Sequence, residues 1–281
     1  MKKIGFIDFY ISEWHANNYP IWIKETCEKY GFDYDVCYAW AEKEDSEFDG
    51  RNTDEWCKDF GVERCDTIAE LCEKSDDIII LAPSNPEKHL KYVKEAFPCG
   101  KRFYVDKTFA PDFATAKEMY DISKKYGTSF FTTSALRYAN EIQNLENVKA
   151  VSVQGGGGNL VEYIIHQAEI VVKTLGIGAK RLCAEKVGEE IAISVVYSDD
   201  RKAEMHYFPE YAFTCNVEFD DSSKEELKLQ SDDYFNTLIY KILNFFETGE
   251  IDFESSETME VMKIREAAVK ANQNLGKWIE I

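Results

Sequence analysis

Four polar side chains share one face of a helix that is predicted to end near Leu175. They are Glu162, His166, Glu169 and Lys173, at positions i, i+4, i+7 and i+11. A carboxylate one turn from an imidazole can fix its tautomer and hold it ready to accept a proton from a substrate hydroxyl. From the spacing alone, a solvated face with salt bridges is the more common explanation of such a stripe.

A single lysine, Lys107, follows the strand predicted at residues 101–105. Open parallel sheets bind ligands at the carboxyl ends of their strands, and Lys107 would lie at that edge. A fixed positive donor there can stabilise negative charge that develops on a substrate oxygen. A lysine in this position can also be a plain surface charge.

The turn after the first predicted strand reads Ile7-Asp8-Phe9-Tyr10-Ile11-Ser12. A dinucleotide-binding fold has its glycine-rich turn here, because glycines let the backbone approach a pyrophosphate at a helix N-terminus. This turn contains no glycine. Asp8, Phe9 and Tyr10 would flank a bound cofactor, with the Asp8 carboxylate placing like charge against the phosphates.

The end of the second predicted strand carries two residues that would meet the adenosine part of such a cofactor. Glu42 could accept a hydrogen bond from a ribose 2′-hydroxyl, and no arginine is placed for a 2′-phosphate, so NAD is slightly favoured over NADP. Trp40 could stack on adenine or simply cover the edge of the sheet.

The order of the predicted elements divides the chain into two parts. Strands alternate with helices in the first part, which is typical of a doubly wound parallel sheet, and these strands are at residues 3–9, 34–39, 77–82, 101–105 and 129–133. Strands then succeed one another, at residues 148–154, 181–187, 190–197, 202–208 and 212–219, before two helices near 232–248 and 255–275. This pattern predicts a Rossmann-type dinucleotide-binding domain over residues 1–137. An α+β domain with an open, mainly antiparallel sheet follows over residues 138–281, for substrate binding and oligomerisation.

The composition excludes several classes of partner. The 281 residues include 33 Lys and Arg against 52 Asp and Glu, a formal charge of −19 with no basic run, which argues against nucleic acid and anionic membrane surfaces. The longest apolar stretch, residues 78–83, has the length of a strand and not of a membrane span. Eight cysteines without a C-x-x-C pair or a metal-like Cys/His cluster indicate reduced structural thiols and a cytoplasmic protein with no bound metal.

Several motifs follow one another in a characteristic order. They are WHA at residues 14–16, DIIILAPSNPEKH at 77–89, CGKRFYVDKT at 99–108, GGGG at 155–158 and GKWIEI at 276–281. Together they resemble the glucose-fructose oxidoreductase and inositol 2-dehydrogenase family, also called Gfo/Idh/MocA, over nearly the full chain. The resemblance implies NAD(P)-dependent interconversion of a secondary alcohol and a ketone on a sugar-like or cyclic polyol substrate.

The resemblance also assigns roles to residues. Lys107 matches the lysine of the family's E-K-P motif, which binds the reacting oxygen, while Glu162 and His166 match its D-x-x-x-H pair. This chain departs from the family motifs at three positions: it has Asp106 where the motif has Glu, Thr108 where it has Pro and Glu162 where it has Asp.

Other histidines and the loop after the third long strand have less specific roles. By the resemblance, Pro83, Asn85 and His89 would line the cofactor, although His89 would also serve as a capping or packing residue. His15 and His206 have no sequence neighbours that suggest chemistry.

Two hypotheses for function remain open. In the first, His166 exchanges the hydroxyl proton, Lys107 steadies the oxygen, Glu162 orients His166, and hydride moves between substrate and nicotinamide. In the second, favoured by the missing glycines, a cofactor-free protein of the same fold binds a small ligand or a partner protein.

Under either hypothesis we expect self-association. Residues 191–197 are apolar at nearly every position, so we expect a homodimer or a dimer of dimers that buries the second sheet.

Overall fold

The computed structural model describes residues 1–229 and 233–281. They form two compact units, one made of residues 1–132 and 236–252 and the other of residues 133–235 and 253–281. The ranges predicted from sequence, 1–137 and 138–281, are contiguous, whereas the observed chain returns to the first unit after the strands of the second. The predicted helix near 232–248 causes this return, and its first residue, Asp232, lies outside the described residues.

The first unit contains a parallel sheet in the strand order β3-β2-β1-β4-β5-β6. The strands are β1 (Lys2–Asp8), β2 (Tyr34–Ala41), β3 (Glu63–Arg64), β4 (Asp77–Ile80), β5 (Arg102–Val105) and β6 (Phe130–Phe131). The helices between them are α1 (Trp14–Tyr30), α2 (Thr53–Phe60), α3 (Ile68–Lys74), α4 (Pro86–Ala96) and α5 (Phe113–Tyr126). The strand order reverses between β1 and β4, and their carboxyl ends form the crevice where open α/β folds bind ligands. The predicted Rossmann-type fold is confirmed.

The second unit is built on a mixed sheet in the order β12-β11-β7-β10-β9-β8-β13. Its strands are β7 (Val148–Gly155), β8 (Ala179–Val187), β9 (Glu190–Tyr197), β10 (Lys202–Tyr207), β11 (Thr214–Phe219), β12 (Lys224–Lys228) and β13 (Trp278–Glu280). The helices are α6 (Leu160–Leu175), α7 (Asp233–Thr248), most of which belongs to the first unit, and α8 (Ser255–Asn272). The sheet is mainly antiparallel, as predicted, with one parallel pair between β7 and β10.

Ring contacts explain why residues 236–252 belong to the first unit. Phe246 lies 6.2 Å from Tyr34 and Phe245 lies 5.2 Å from Phe131, measured between ring centroids, and all four rings are buried. Burial of such rings stabilises the unit strongly, so α7 completes its hydrophobic core.

Side chains alternate across the sheet of the second unit. Met205 and Val217 are buried, while Ser194, Glu204 and Asn216 are exposed on the opposite face. This second face carries polar and charged side chains, which differs from the apolar surface that the pattern of residues 191–197 suggests. No helix in the described part of the chain has the length and apolar character needed to cross a membrane.

Self-association through this face stays a prediction. At micromolar concentration we expect light scattering to give at least twice the chain mass of 32.4 kDa. Ser194→Arg, on the exposed face of β9, should shift the mass to that of a monomer, while Ser223→Arg, on the exposed turn between β11 and β12, should not. A monomeric wild-type protein would contradict the prediction.

Candidate functional site

His166 lies on α6 in the second unit, and the start of that helix is firmly capped. The Asn159 side chain accepts a hydrogen bond from the Glu162 backbone N–H at 3.0 Å, and its amide group donates to the Glu162 carboxylate at 3.3 Å. Asn159 is thus the N-cap, with an acidic residue in the first turn, an arrangement that stabilises a helix terminus.

The imidazole of His166 has a serine partner that the sequence did not predict. Its Nδ1 lies 2.7 Å from the Oγ of Ser134. A hydroxyl can donate or accept, so this contact persists whether or not Nδ1 carries a proton. Ser134 precedes α6 by more than twenty residues, and no sequence motif indicates the pairing. The predicted orienting residue, Glu162, has Asn159 as a partner, and its role toward His166 stays a prediction.

Ser134 is held in place by a buried ion pair. Its backbone N–H donates to Glu169 at 3.3 Å, and the other oxygen of Glu169 accepts from Arg137 at 2.9 Å. Arg137 and Glu169 are only 3% and 4% exposed. Arg137 also donates to Glu257 and stacks over the Phe253 ring at 4.0 Å. The helix stripe is therefore not a solvated face, since its Glu169 faces the protein interior.

Burial and ion pairing act in opposite directions on Arg137. Burial disfavours its charge, but Glu169 and Glu257 outweigh this and raise the pKa of Arg137 above its ordinary value. The guanidinium consequently stays charged and continues to fix the loop that carries Ser134.

The glycine run before α6 allows two aromatic rings to flank His166. A Cβ atom on Gly155 would lie 2.2 Å from the Phe213 ring, and one on Gly157, whose φ is 143°, would lie 2.1 Å from the Tyr163 ring. The centroids of these two rings are each 5.7 Å from the imidazole. The result is a half-buried imidazole with hydrogen-bonding capacity beside two aromatic rings, which suits a ligand that carries both hydroxyl groups and C–H faces.

In the first unit, buried carboxylates occupy the crevice at the ends of β1 and β5. Asp8 is 1% exposed, and its Oδ1 accepts from the backbone N–H groups of Phe9 at 2.7 Å and Ala82 at 2.9 Å. Glu13, the N-cap of α1, accepts from the backbone N–H groups of His15 at 2.8 Å and Ala16 at 2.5 Å. A dinucleotide pyrophosphate uses donors at this turn and helix N-terminus. Both carboxylates therefore already occupy donors of the kind that a cofactor needs.

The electrostatics of this cluster further disfavour a bound anion. Burial, and then the proximity of Glu13, raises the pKa of Asp8 well above its ordinary value, and burial likewise raises the pKa of Glu13. Burial acts in the same direction on Asp106, but His15, whose Nδ1 lies 2.9 Å from its Oδ2, outweighs it and lowers the pKa of Asp106 to about 2. The Oδ2 of Asp8 is buried, with no hydrogen-bond partner in the part of the chain that the structure describes. A pyrophosphate would add negative charge to three neighbouring carboxyl groups.

The predicted adenosine contacts are also engaged within the protein. Glu42 binds Lys88 at 2.8 Å, Lys91 at 3.0 Å and the Tyr92 hydroxyl at 3.0 Å. Burial raises the pKa of Glu42, but the Lys88 hydrogen bond and the other donors lower it to about 2. Trp40 packs edge-on against Tyr92 with 5.7 Å between ring centroids.

The other predicted cofactor residues have local structural contacts. His89 is fully buried, and its two ring nitrogens contact the Leu81 and Phe109 carbonyls, as expected for a packing histidine. The ring of Phe9 lies under the Lys88 ammonium at 4.5 Å, and that of Tyr10 lies 5.7 Å from the Phe9 ring.

The loop that leads into α4 is equally compact. Pro83 is buried. Asn85 is the N-cap of α4 and donates to Glu87 at 3.3 Å. The residues around β1, β2 and β4 consequently do not fit a nicotinamide dinucleotide bound through its pyrophosphate.

Lys107 lies two residues after the end of β5, at the carboxyl edge of the first sheet, and its side chain is half-buried. Its backbone N–H and its charge both help to lower the pKa of Asp106. That Lys107 and His166 act on the same substrate oxygen stays a prediction. Within residues 1–229 and 233–281, no group of three or more His, Cys, Asp and Glu side chains is arranged to hold a metal ion.

Comparisons with known proteins establish the fold. No protein-family model and no curated protein matches the sequence. Among solved structures, the chain is similar to myo-inositol dehydrogenase from Lactobacillus casei in complex with NAD(H) and myo-inositol. The TM-score is 0.80 at 10% identity, over 100% of this chain and 97% of that one.

Two further structures give the same result. Myo-inositol 2-dehydrogenase from Lactobacillus plantarum has a TM-score of 0.79 at 13% identity, covering 100% of this chain and 99% of that one. UDP-N-acetylglucosamine 3-dehydrogenase from Acidithiobacillus ferrooxidans has a TM-score of 0.77 at 11% identity, covering 98% and 97%. The chain thus has the fold of these dehydrogenases, consistent with the resemblance seen in its motifs.

Proposed function

We propose that this chain binds a sugar-like or cyclic polyol ligand at the His166 site and does so without a nicotinamide dinucleotide. The observation that carries the proposal is that Asp8 and Glu13 occupy the backbone N–H groups at the β1 turn and the α1 N-terminus. A pyrophosphate would have to displace two buried carboxylates from these donors while bringing further negative charge.

The ligand class follows from the surroundings of His166. Its imidazole can exchange hydrogen bonds with ligand hydroxyls, and the Tyr163 and Phe213 rings supply apolar surface for the C–H face of a ring. The solved structures with the same fold include a complex with myo-inositol, which supports the same class.

A second candidate function is an NAD(P)-dependent oxidoreductase that interconverts a secondary alcohol and a ketone on such a ligand. Retention of Lys107, Glu162 and His166 favours it, as does a fold shared with dehydrogenases solved with NAD(H). In this function His166 would exchange the hydroxyl proton, and Lys107 would stabilise charge on the oxygen.

Ligand titrations separate the two candidates. We expect titration with NADH or NADPH to give no saturable change in nicotinamide fluorescence, while calorimetry with inositols and hexoses detects binding. His166→Ala should weaken that binding by about 10-fold, the loss of one or two hydrogen bonds. His206→Ala, a half-buried histidine on the other face of the same unit's sheet, is the matched control and should leave it unchanged.

Saturable NADH or NADPH binding would instead support the oxidoreductase. In that case, His166→Ala and Lys107→Ala should each lower turnover by about 10²-fold or more with cofactor affinity nearly unchanged. A variant with full turnover would refute the role of that residue.

A further inference from the structure

Two thiols distant in sequence meet at the edge of the first sheet opposite to Lys107. Cys72 is in the last turn of α3, is 3% exposed and lies 3.9 Å from the Ala96 carbonyl oxygen. Cys99 is exposed at the end of a short 3-10 turn, Phe97–Cys99, which leads toward the amino end of β5. The contact with Ala96 brings the Cys72 thiol beside the turn that carries Cys99, where the two thiols interact electrostatically. The pairing could not be predicted from the sequence, because the two cysteines do not form a C-x-x-C motif.

The surroundings of Cys99 favour its thiolate. The hydrogen bond from Cys72 outweighs burial and, with the backbone N–H and the ammonium of Lys101, lowers the pKa of Cys99 to about 7. The Lys101 ammonium is held nearby, because it donates to the Ser75 carbonyl at the end of α3. A substantial fraction of Cys99 is therefore thiolate at neutral pH.

The other cysteines are all less exposed than Cys99. Burial raises the pKa of five of them: Cys27, Cys37, Cys57, Cys65 and Cys215. The hydrogen bond with Cys99 is the main reason that the pKa of Cys72 is raised. Cys99 thus combines exposure, a stabilised thiolate and a neighbouring thiol, which together distinguish redox-active from structural cysteines.

We propose that Cys99 is a peroxide-reactive thiol and that Cys72 is its resolving partner. The Cys99 thiolate attacks one oxygen of a hydroperoxide such as hydrogen peroxide, the O–O bond breaks, and sulfenic acid and hydroxide form. The Cys72 sulfur then attacks the sulfenic sulfur, the S–O bond breaks, and water leaves as the disulfide forms. The peroxide accepts two electrons, and the two thiols together lose two electrons and two protons.

The proposal is independent of the ligand-binding function. Cys72 is in α3, which leads into β4, and Cys99 is in the turn after α4, which leads into β5. The thiol pair therefore lies at the amino ends of these two parallel strands, whereas Lys107 and Asp106 lie at the carboxyl end of β5. Failure of either proposal consequently leaves the other standing.

Thiol titration and peptide mapping test the pair directly. After treatment of the folded protein with a few equivalents of hydrogen peroxide near neutral pH, we expect loss of two of the eight thiols. Mapping should recover a Cys72–Cys99 disulfide that dithiothreitol reverses. In Cys72→Ser, Cys99 should form a sulfenic acid that dimedone traps. In Cys99→Ser, peroxide-dependent thiol loss should slow by about 10-fold or more.

Cys37→Ser is the matched control, since this half-buried cysteine is in the same unit and its thiolate is disfavoured. It should behave as the wild type, with circular dichroism confirming that each variant is folded. Thiol loss at an unchanged rate in Cys99→Ser, or a disulfide that excludes Cys72, would overturn the proposal. Accumulation of sulfinic acid at Cys99 in the wild type, without a disulfide, would refute the role of Cys72.

Discussion

Arg137→Met should lower the free energy of unfolding by about 3–5 kcal/mol, the typical cost of removing one partner from a buried ion pair. Methionine preserves much of the volume but leaves the Glu169 carboxylate buried without its cation. Glu169 also accepts from the Ser134 backbone, so the loop beside His166 should loosen together with the loss of stability. Chemical denaturation with urea, monitored by circular dichroism, measures the change.

Two further variants identify the cause of this effect. Arg64→Met removes an arginine from an exposed pair with Glu44 in the first unit and should cost less than about 1 kcal/mol. The double variant Arg137→Met/Glu169→Leu removes both buried charges and should recover a large part of the loss. If Arg137→Met is as stable as the wild type, the ion pair does not hold the Ser134 loop.

Asp8→Asn should stabilise the protein near pH 8 by about 1–3 kcal/mol, the usual scale for a buried polar group without a partner. Asparagine can keep the acceptor oxygen for the Phe9 and Ala82 backbone N–H groups, while an NH₂ group replaces the buried Oδ2, which has no hydrogen-bond partner among the described residues. That NH₂ group would face the negative charge of Glu13 and Asp106, which now destabilises the Asp8 carboxylate.

The stabilisation by Asp8→Asn should depend on pH. Because the folded-state pKa of Asp8 is raised above the unfolded value, the wild type loses stability as pH rises through the interval between the two. Near pH 3 the carboxyl group is largely protonated in both states, so the advantage of Asp8→Asn should nearly vanish there and grow toward pH 8.

Thermal denaturation at several pH values measures the effect of Asp8→Asn. Asp112→Asn, at the N-cap of α5, makes the same chemical change outside the carboxylate cluster and serves as control. An equal gain at all pH values would show that the charge of Asp8 is not the cause.

The sequence predicted the fold well because long apolar strands and their order are visible in it. The buried apolar run at residues 77–82 corresponds to β4 and the two residues that follow it. The succession of strands after residue 181 corresponds to the antiparallel part of the second sheet. Short edge strands were missed because β3 has two exposed residues and β12 is mostly charged, so neither shows an apolar pattern.

The candidate sites were less predictable, because their decisive contacts join residues that are distant in sequence. The end of β5 could be predicted from sequence, and with it the position of Lys107 along the chain, whereas Ser134 reaches His166 only through the fold. The missing glycines of the first turn were evident, whereas the hydrogen bonds that Asp8 accepts from the Phe9 and Ala82 N–H groups required coordinates. The contact between His15 and Asp106 likewise joins residues far apart in sequence and could not be predicted from it.

The return of the chain to the first unit at residues 236–252 affects how this protein can be synthesised and divided. The first unit lacks one of its packing helices until residue 252 has been added, so a growing chain must keep Tyr34 and Phe131 uncovered while the second unit is being made. For the same reason, a fragment ending at residue 132 would expose aromatic surface and tend to aggregate. Dissection of this protein into separate domains therefore requires a rearranged chain in which residues 236–252 are joined to the first unit, not a single cut.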